Sequence, residues 1–491
     1  MKLIRNAHIW IDNGFSKDKM AILLDNELIK EIIKEPIDFN IDHVESIDLN
    51  GAYVYPGFID THTHSFEGGL YSLGVDMSEV KCIDDVLMLL DAKYRHTPAD
   101  EVIFAWQFDE NAIIEKRFPT MSELDSVVPS KSIVLRRVDG HSCILNSYAR
   151  KQLSGVPAGI EILRAEANDN AVHHFHNSVR EEAVLNAYHQ AADIAMHGGF
   201  TGIHTMVGDA NQSIGHYSLI DSNISKFKIS FTLYPQSFNI RAALDAGASR
   251  IGGCILADGS IGSHTAALSR PYEGTACMGS LYHDDSYWYN FLSEAHKNNL
   301  QVGVHCIGDK AIAQINSVYN KLKEDDYKDL RHQLIHCEIT DDNLVGCIAN
   351  SGAVPVMQPS FDLLWGGDNG FYSRQLGLER ARNMNRFSTF NRNNVRVTGS
   401  SDWYVTPLDI VQSIRAAMLH NNETEQLTHA EAVSLYTRNA AWLSHEESYL
   451  GMIAKGYRAD FSILDNPIDD LTTIPGIKMI ISKGNTVYAA N

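Results

Sequence analysis

At 491 residues the chain exceeds the size that one hydrophobic core usually serves, so a large domain with additions is expected, and its 44% apolar content suffices to fill it. A formal charge of -20, from 61 acidic against 41 basic side chains, disfavours contact with phosphate backbones and argues against nucleic acid as a partner. Residues 1–20 lack the apolar core and cleavage site of an export signal, and no apolar run reaches membrane-spanning length, which points to a cytoplasmic protein with no membrane partner.

Strand-like runs open the chain at 3–11, 20–33 and 44–56 and close it at 459–465, 478–484 and 486–490. These ends are expected to pair into one small sheet domain. Between them, short apolar runs ending in a polar or histidine residue alternate with helical segments, the pattern of βαβ units around a parallel sheet. In chain order the runs are VYPGFID (54–60), TGIHTM (201–206), ISFTLY (229–234), CILAD (254–258), VGVHC (302–306), QLIHC (333–337), AVPVM (353–357) and VRVTGSSD (395–402), which predicts eight strands. The connection at roughly 66–178 is far too long for a loop and is assigned to an inserted lobe, with strands at 102–108 and 132–138. A helix through VREEAVLNAYHQAADIAMHGG should stop at Gly198 or Gly199, and Ile312, Ile315, Val318, Tyr319 and Leu322 recur at helical spacing. The predicted fold class is therefore α/β: a (β/α)8 TIM-like barrel at 54–65 and 179–445, a composite β domain from 1–53 and 446–491, and the insert at 66–178 after the first barrel strand. The seven cysteines are scattered, never in a C-x-x-C pair, and read as reduced thiols.

FIDTHTH places His62 and His64 just past the predicted end of the first strand, two residues apart and so on one face, where they can hold a metal ion. Alone this signal is weak, because 22 histidines give about one H-x-H by chance, and a second occurs at His174 and His176. Three other strands end in a ligand type at the same height: His305, His336 and Asp402. Barrel enzymes gather catalytic groups from different strands at this end. A single histidine is more often a hydrogen-bonded core or loop residue; the five together form a metal-ligand constellation. Imidazoles and a carboxylate suit zinc, with iron and manganese as alternatives. Trp403, beside Asp402, is placed to line the pocket, whereas Trp365, Phe371 and Tyr372 read as packing or loop anchors.

The segments PGFIDTHTH, FPTMSELDSVVP, LRRVDGHSCILNS, LADGSIGSHTAALSRPYEG, VGVHCIGDKAI, RHQLIHCE, GSSDW and LGMIAKGYRADFSILD together resemble the amidohydrolase superfamily, specifically the amidohydrolase-3 branch that includes N-substituted formamide deformylases. The resemblance implies a metal-dependent hydrolase of a non-peptide, amide-type C–N bond, acting through metal-activated water on a small-molecule substrate, with one or two zinc ions. It makes His62 and His64 first-strand ligands, His305 the fifth-strand ligand, His336 the sixth-strand ligand and catalytic group, and Asp402 the eighth-strand ligand and proton shuttle. At the fourth strand relatives often carry a metal-bridging carboxylated lysine, and here Cys254 stands in its place, either a bridging thiolate or an ordinary small apolar residue. Strict alternation along CILAD puts Cys254, Leu256 and Asp258 on one face, with Cys254 deep in the barrel. His264 stands where relatives commonly carry arginine, which leaves the substrate class open. With Asp258 and Trp403 it makes up the expected substrate-binding set, together with His141, although Asp139 and His141 in VDGH can equally form a turn. Two other functions remain at this point: hydrolytic deamination or cyclic amide or imine cleavage at the same site, and a non-catalytic regulatory or binding protein whose metal site has decayed. A homo-oligomer is left open.

Overall fold

The computed structural model describes residues 1–490 apart from 12, 37–43, 99, 139, 141, 155–158, 165 and 209–213. The chain divides into two compact units, Met1–His64 with Ala192–Asn491, and Ser65–Ala191. Among the described residues no helix is long and apolar enough to cross a membrane.

In the first unit both ends of the chain enter one nine-stranded sheet. Lys2–Ile11 pairs antiparallel with Met20–Asp25 and parallel with Tyr53–Pro56, which pairs antiparallel with Phe461–Leu464. Ile477–Ser482 and Asn485–Ala489 complete that side. Ile4, Ile9, Ile22, Val54, Phe461 and Ile463 fill the core beneath it. The run at 20–33, expected as one strand, is a hairpin of Met20–Asp25 and Leu28–Lys34, broken where Asn26 takes a left-handed φ of 54°.

The eight runs between the ends form parallel strands, here labelled β1 (Phe58–Thr63), β2 (Phe200–Val207), β3 (Ser230–Pro235), β4 (Arg250–Leu256), β5 (Gln301–Cys306), β6 (Gln333–His336), β7 (Val354–Met357) and β8 (Thr398–Gly399). They make a three-stranded sheet, β3-β2-β1, and a five-stranded sheet, β4-β5-β6-β7-β8. Every residue of β1, β2, β5, β6 and β7 is buried, as parallel strands covered on both faces require. A parallel bridge joins Thr63 at the end of β1 to Trp403, beyond β8.

The first of these runs differs from the expectation. VYPGFID is two strands, because the chain leaves the terminal sheet at Pro56 and enters β1 at Phe58, with Gly57 alone between them. A Cβ at Gly57 would overlap Thr201 Oγ1 and Asp460 Cβ, so a glycine is needed for the passage. Strand β1 therefore extends to Thr63, and His62 lies within it rather than past its end. The helix Glu181–His197 ends at the two expected glycines, with Gly199 at φ 95°. The helix Asp309–Asp325 buries Ile312, Ile315, Val318, Tyr319 and Leu322, the face its periodicity predicts.

The second unit is built on a five-stranded sheet in the order Ile162–Arg164, Ser142–Leu145, Ile133–Arg137, Ile103–Phe108, Val75–Asp76. It contains the two strands expected of the insert. Val86 and Leu90 of the helix Ile83–His96, and Leu124 of Met121–Val127, pack on Ile103, Phe108 and Ile133 in its own core.

Candidate metal centre

Four of the five predicted strand-end ligands and Cys254 meet in two overlapping sets. The ligand atoms of His62, His64 and Cys254 all lie within 4.8 Å of one another, and so do those of His62, His336 and Asp402. Asp402 Oδ1 is 3.3 Å from His62 Nε2 and 3.3 Å from His64 Nε2. His305 stands beside these sets, its ring centroid 4.6 Å from that of His336. His336, Cys337 and Asp402 hold φ of 70°, 50° and 56°, a backbone conformation costly for residues with a Cβ and concentrated at functional sites.

Cys254 reaches the cluster by a route that strict alternation does not allow. Opposite β5, Gly252 pairs with Gly303 and Ile255 with Val304, so Gly253 and Cys254 are two extra residues bulged out of β4. Gly252 and Gly253 have φ of 83° and 80°, and a Cβ on Gly253 would overlap Met206 Sδ. This bulge re-aims the strand. Cys254 is buried against Met206 and Tyr234 with its thiol among the histidines, while Leu256, expected on the same face, is exposed. Cys254 thus packs against apolar neighbours and also borders the ligand cluster.

Several residues that the sequence did not single out hold the cluster in place. Asp60 accepts from His62 N–H at 3.0 Å and from Ser401 N–H at 2.9 Å, tying β1 to the loop that carries Asp402. His336 Nδ1 is 2.8 Å from Gln358 Oε1, and the Gln358 amide nitrogen donates to Ser400 Oγ and Val356 O. Glu338, two residues beyond His336, is buried with Oε2 lacking any hydrogen-bond partner, and burial raises its carboxyl to about 7. His204 on β2 is also buried, pushed down to about 3 by burial, and packs near Tyr234 outside both ligand sets.

Burial opposes charge throughout the cluster, yet the groups are polarised as acid and base. Burial works against the charge of His62, but Asp402 and Cys254 outweigh it and lift that imidazole to about 9; His64 is raised by the same partners. Burial pushes the Cys254 thiol up, and the neighbouring imidazoles of His336, His62 and His64 pull it well below its ordinary value. Asp402, despite burial, is held well below the usual carboxylate range by His62 and His64. His336 is lowered by burial and by the neighbouring charge of His305. Buried Nδ1 and Nε2 of His62, Nδ1 of His305 and Oδ1 of Asp402 have no hydrogen-bond partner. Imidazoles, a thiolate and a carboxylate with idle lone pairs in a buried space fit a divalent cation, which would take the place of the shared protons.

The remaining predicted site residues are placed differently. Asp258 is fully buried, and its carboxylate accepts from the N–H groups of Ala267, Ile307 and Gly308, with Oδ1 3.6 Å from His305 Nδ1. His264, at φ 58°, stacks on Tyr272 with centroids 4.3 Å apart and bonds Gln375; it belongs to neither ligand set. Trp403 is buried next to Asp402, and its carbonyl accepts from His64 N–H at 2.6 Å. His141 and Asp139 lie outside the described residues. His176 of the second H-x-H is 3.1 Å from the Tyr71 hydroxyl in the second unit. Trp365 and Phe371 pack against buried Tyr372 and Met384, the anchoring role expected of them. All seven cysteines are free thiols.

The model of the Amidohydrolase family matches residues 45–488. YtcJ of Bacillus subtilis (strain 168) is 26% identical, over 99% of this chain and 96% of its own length. The N-substituted formamide deformylase of Arthrobacter pascens is 24% identical, over 87% of this chain and 86% of its own. The crystal structure of an uncharacterized metal-dependent hydrolase from Pyrococcus furiosus superposes with a TM-score of 0.81 at 22% identity, covering 95% of this chain and 99% of that one.

Proposed function

The chain belongs to the amidohydrolase family, and on that premise we propose that it is a metal-dependent hydrolase of a non-peptide, amide-type C–N bond in a small molecule. We read its eight parallel strands as a (β/α)8 barrel, with the terminal sheet as a composite domain from 1–53 and 446–491 and with 66–178 as an inserted lobe. The bridge from Thr63 to Trp403 supports the barrel reading, since it links the first strand to the segment following the eighth.

His62, His64, His305 and Asp402 would hold the ion, with His336 and Cys254 available to it or to a second one. The imidazole and thiolate donors favour zinc. Such an ion, when bound, lowers the cost of ionising water and polarises a carbonyl. The chain's own part is proton handling. Asp402, held ionised by its two imidazole neighbours, accepts a proton from the attacking water as the water oxygen bonds to the carbonyl carbon. The same carboxyl returns that proton to the nitrogen as the C–N bond breaks. Asp60 and Gln358 orient the groups around it, and Asp258, its carboxylate committed to three backbone N–H groups, positions His305 rather than meeting substrate.

One observation carries this reading: a single buried oxygen of Asp402 stands 3.3 Å from two imidazole nitrogens. The N-substituted formamide deformylase among the relatives makes N-formyl amines the first compounds to assay. Protein stripped by chelator and reconstituted with zinc should hydrolyse members of an N-formyl and N-acyl amine panel, and stripped protein should not. Failure to bind stoichiometric metal would overturn the reading.

A further inference from the structure

A cavity of about 320 Å3 opens at the starts of β6, β7 and β8, whereas His336 and Asp402 lie at or beyond the opposite ends of β6 and β8. Its lining includes His332, Ala353 and Arg396, which precede those three strands. The volume is within the range that small organic ligands occupy. Its charge runs against that of the whole chain: four cations line it, Lys323, Lys328, Arg331 and Arg396, against one carboxylate, Asp329, in a protein of net charge -20. The two histidines of the lining add nothing to that charge. Val302 N–H donates to His332 Nδ1 at 3.1 Å, so His332 donates from Nε2 to His296 Nδ1 at 3.0 Å, and His296 Nε2 donates to Asp326 O at 2.7 Å. Both rings are neutral in this chain of bonds, and burial pushes His332 down to about 3.

The four cations differ in what balances them. Arg331 is fully committed, donating to Glu447 at 3.0 and 2.7 Å and to Asp329 at 3.3 and 3.2 Å. Lys328 donates to the carbonyls of His296 and Lys297 and stands 3.4 Å from Asp326, and Lys323 donates to Asn350 O. Arg396 has no such partner: among the described residues no carboxylate lies within ion-pair distance of its guanidinium and no oxygen accepts from it. It lies instead over the Trp442 ring, 4.2 Å from the centroid, with Arg331 4.5 Å from the same centroid. Partial burial and the charge of Arg331 both push the Arg396 guanidinium below its ordinary value. Trp442 packs on Ile335, Val354, Val356 and Leu443, which fixes the ring beneath it. An indole attracts a cation without neutralising it and leaves the planar N–H fork unused. Two oxygens of a carboxylate or phosphate match that fork.

We propose that this cavity binds a small organic oxyanion, a carboxylate or a phosphate monoester, whose oxygens meet the Arg396 fork while Lys323 and Lys328 add to the positive field. Leu322, Ile348 and Val354 make part of the wall apolar, which favours an anion with an organic stem over a bare inorganic ion. Binding at these strand ends requires neither the metal nor the reaction.

The test is calorimetric titration of zinc-reconstituted protein with benzoate, phenyl phosphate and neutral benzamide, for wild type, Arg396→Gln, Arg396→Lys and Arg241→Gln. Arg241, exposed and paired with Asp245 elsewhere on the surface, controls for the loss of one positive charge. Wild type should bind at least one of the two anions about tenfold or more tighter than benzamide, and the anion preferred distinguishes a carboxylate from a phosphate site. Arg396→Gln should lose that preference, Arg396→Lys, which keeps the charge but not the fork, should keep part of it, and Arg241→Gln should keep it all. Zinc content and circular dichroism should be unchanged in every variant. An anion bound at the zinc instead would be indifferent to Arg396 and would vanish on stripping with chelator. A preference that survives Arg396→Gln, an equal loss in Arg241→Gln, or equal affinity for the anions and benzamide in wild type overturns the proposal.

Discussion

Gln358 presents Oε1 to His336 Nδ1 at 2.8 Å, and its amide orientation is fixed because the nitrogen donates to Val356 O, an acceptor only. His336 must then carry its proton on Nδ1, which leaves the Nε2 lone pair for a metal or a substrate. Gln358→Leu removes that restraint while keeping the volume. Its expected effect is a loss of about 10- to 100-fold in zinc affinity or in kcat/KM, measured by competition with a chromogenic chelator and by steady-state kinetics.

Asp402→Asn keeps the shape of the side chain but cannot accept and return a proton. Hydrolysis should fall by about 100-fold or more with the fold and part of the metal retained. Activity within about tenfold of wild type would remove Asp402 from the proton-transfer role.

Cys254→Ala distinguishes a ligand from a filler of the apolar space beside Met206 and Tyr234. As a ligand its loss should lower bound zinc by one equivalent or weaken it, and cobalt-substituted wild type should show a thiolate-to-cobalt charge-transfer absorption that the variant lacks. Unchanged metal content together with no such absorption would assign Cys254 to packing alone.

Gly253→Ala places a methyl group against Met206 Sδ on a backbone at φ 80°. The expected cost is about 1 to 3 kcal/mol, visible as a lower melting temperature. Because the bulge also aims Cys254, metal affinity should fall with stability, whereas Gly247→Ala, where a Cβ meets nothing within 4 Å, should leave metal binding intact.

The metal-free cluster sets a pH dependence of definite sign. Between about pH 6.5 and 8.5 the folded protein keeps protons on His62 and His64 that an unfolded chain releases, and lacks one on Cys254 that an unfolded chain keeps. Two gained less one lost leaves the folded state binding one more proton, so stability should decline as pH rises through this window; His305, also raised, adds in the same direction. Zinc displaces those protons, so its affinity should climb over the same interval. Calorimetric melting with and without chelator at the two ends checks both slopes, and a metal-free melting temperature that rises with pH would contradict the assignment.

The histidines were legible because each lies in or just after an apolar run long enough to be a strand, and a strand fixes which way its side chains point. Cys254 was legible as a residue but not in its aim. Alternation assumes one residue per pleat, and the Gly252–Gly253 pair, a sequence sign of a bulge, adds two. Gln358 and Asp60 carried no local signal, since what they do depends on neighbours brought in from elsewhere in the chain: Asp60 matters through Ser401, 341 positions away. The first strand was misjudged for a related reason. Apolar content continues across Pro56–Gly57–Phe58, and nothing in hydrophobicity reveals that the chain changes sheets there.

That change of sheet at Gly57 also bears on the order in which the molecule is assembled. Tyr53–Pro56 leaves the ribosome early, but its antiparallel neighbour Phe461–Leu464 is made only about 400 residues later, after all eight parallel strands. Throughout synthesis this segment presents an open sheet edge immediately before the histidine-bearing strand. A chain halted before Phe461 would keep that edge permanently, as a template on which other nascent copies can pair.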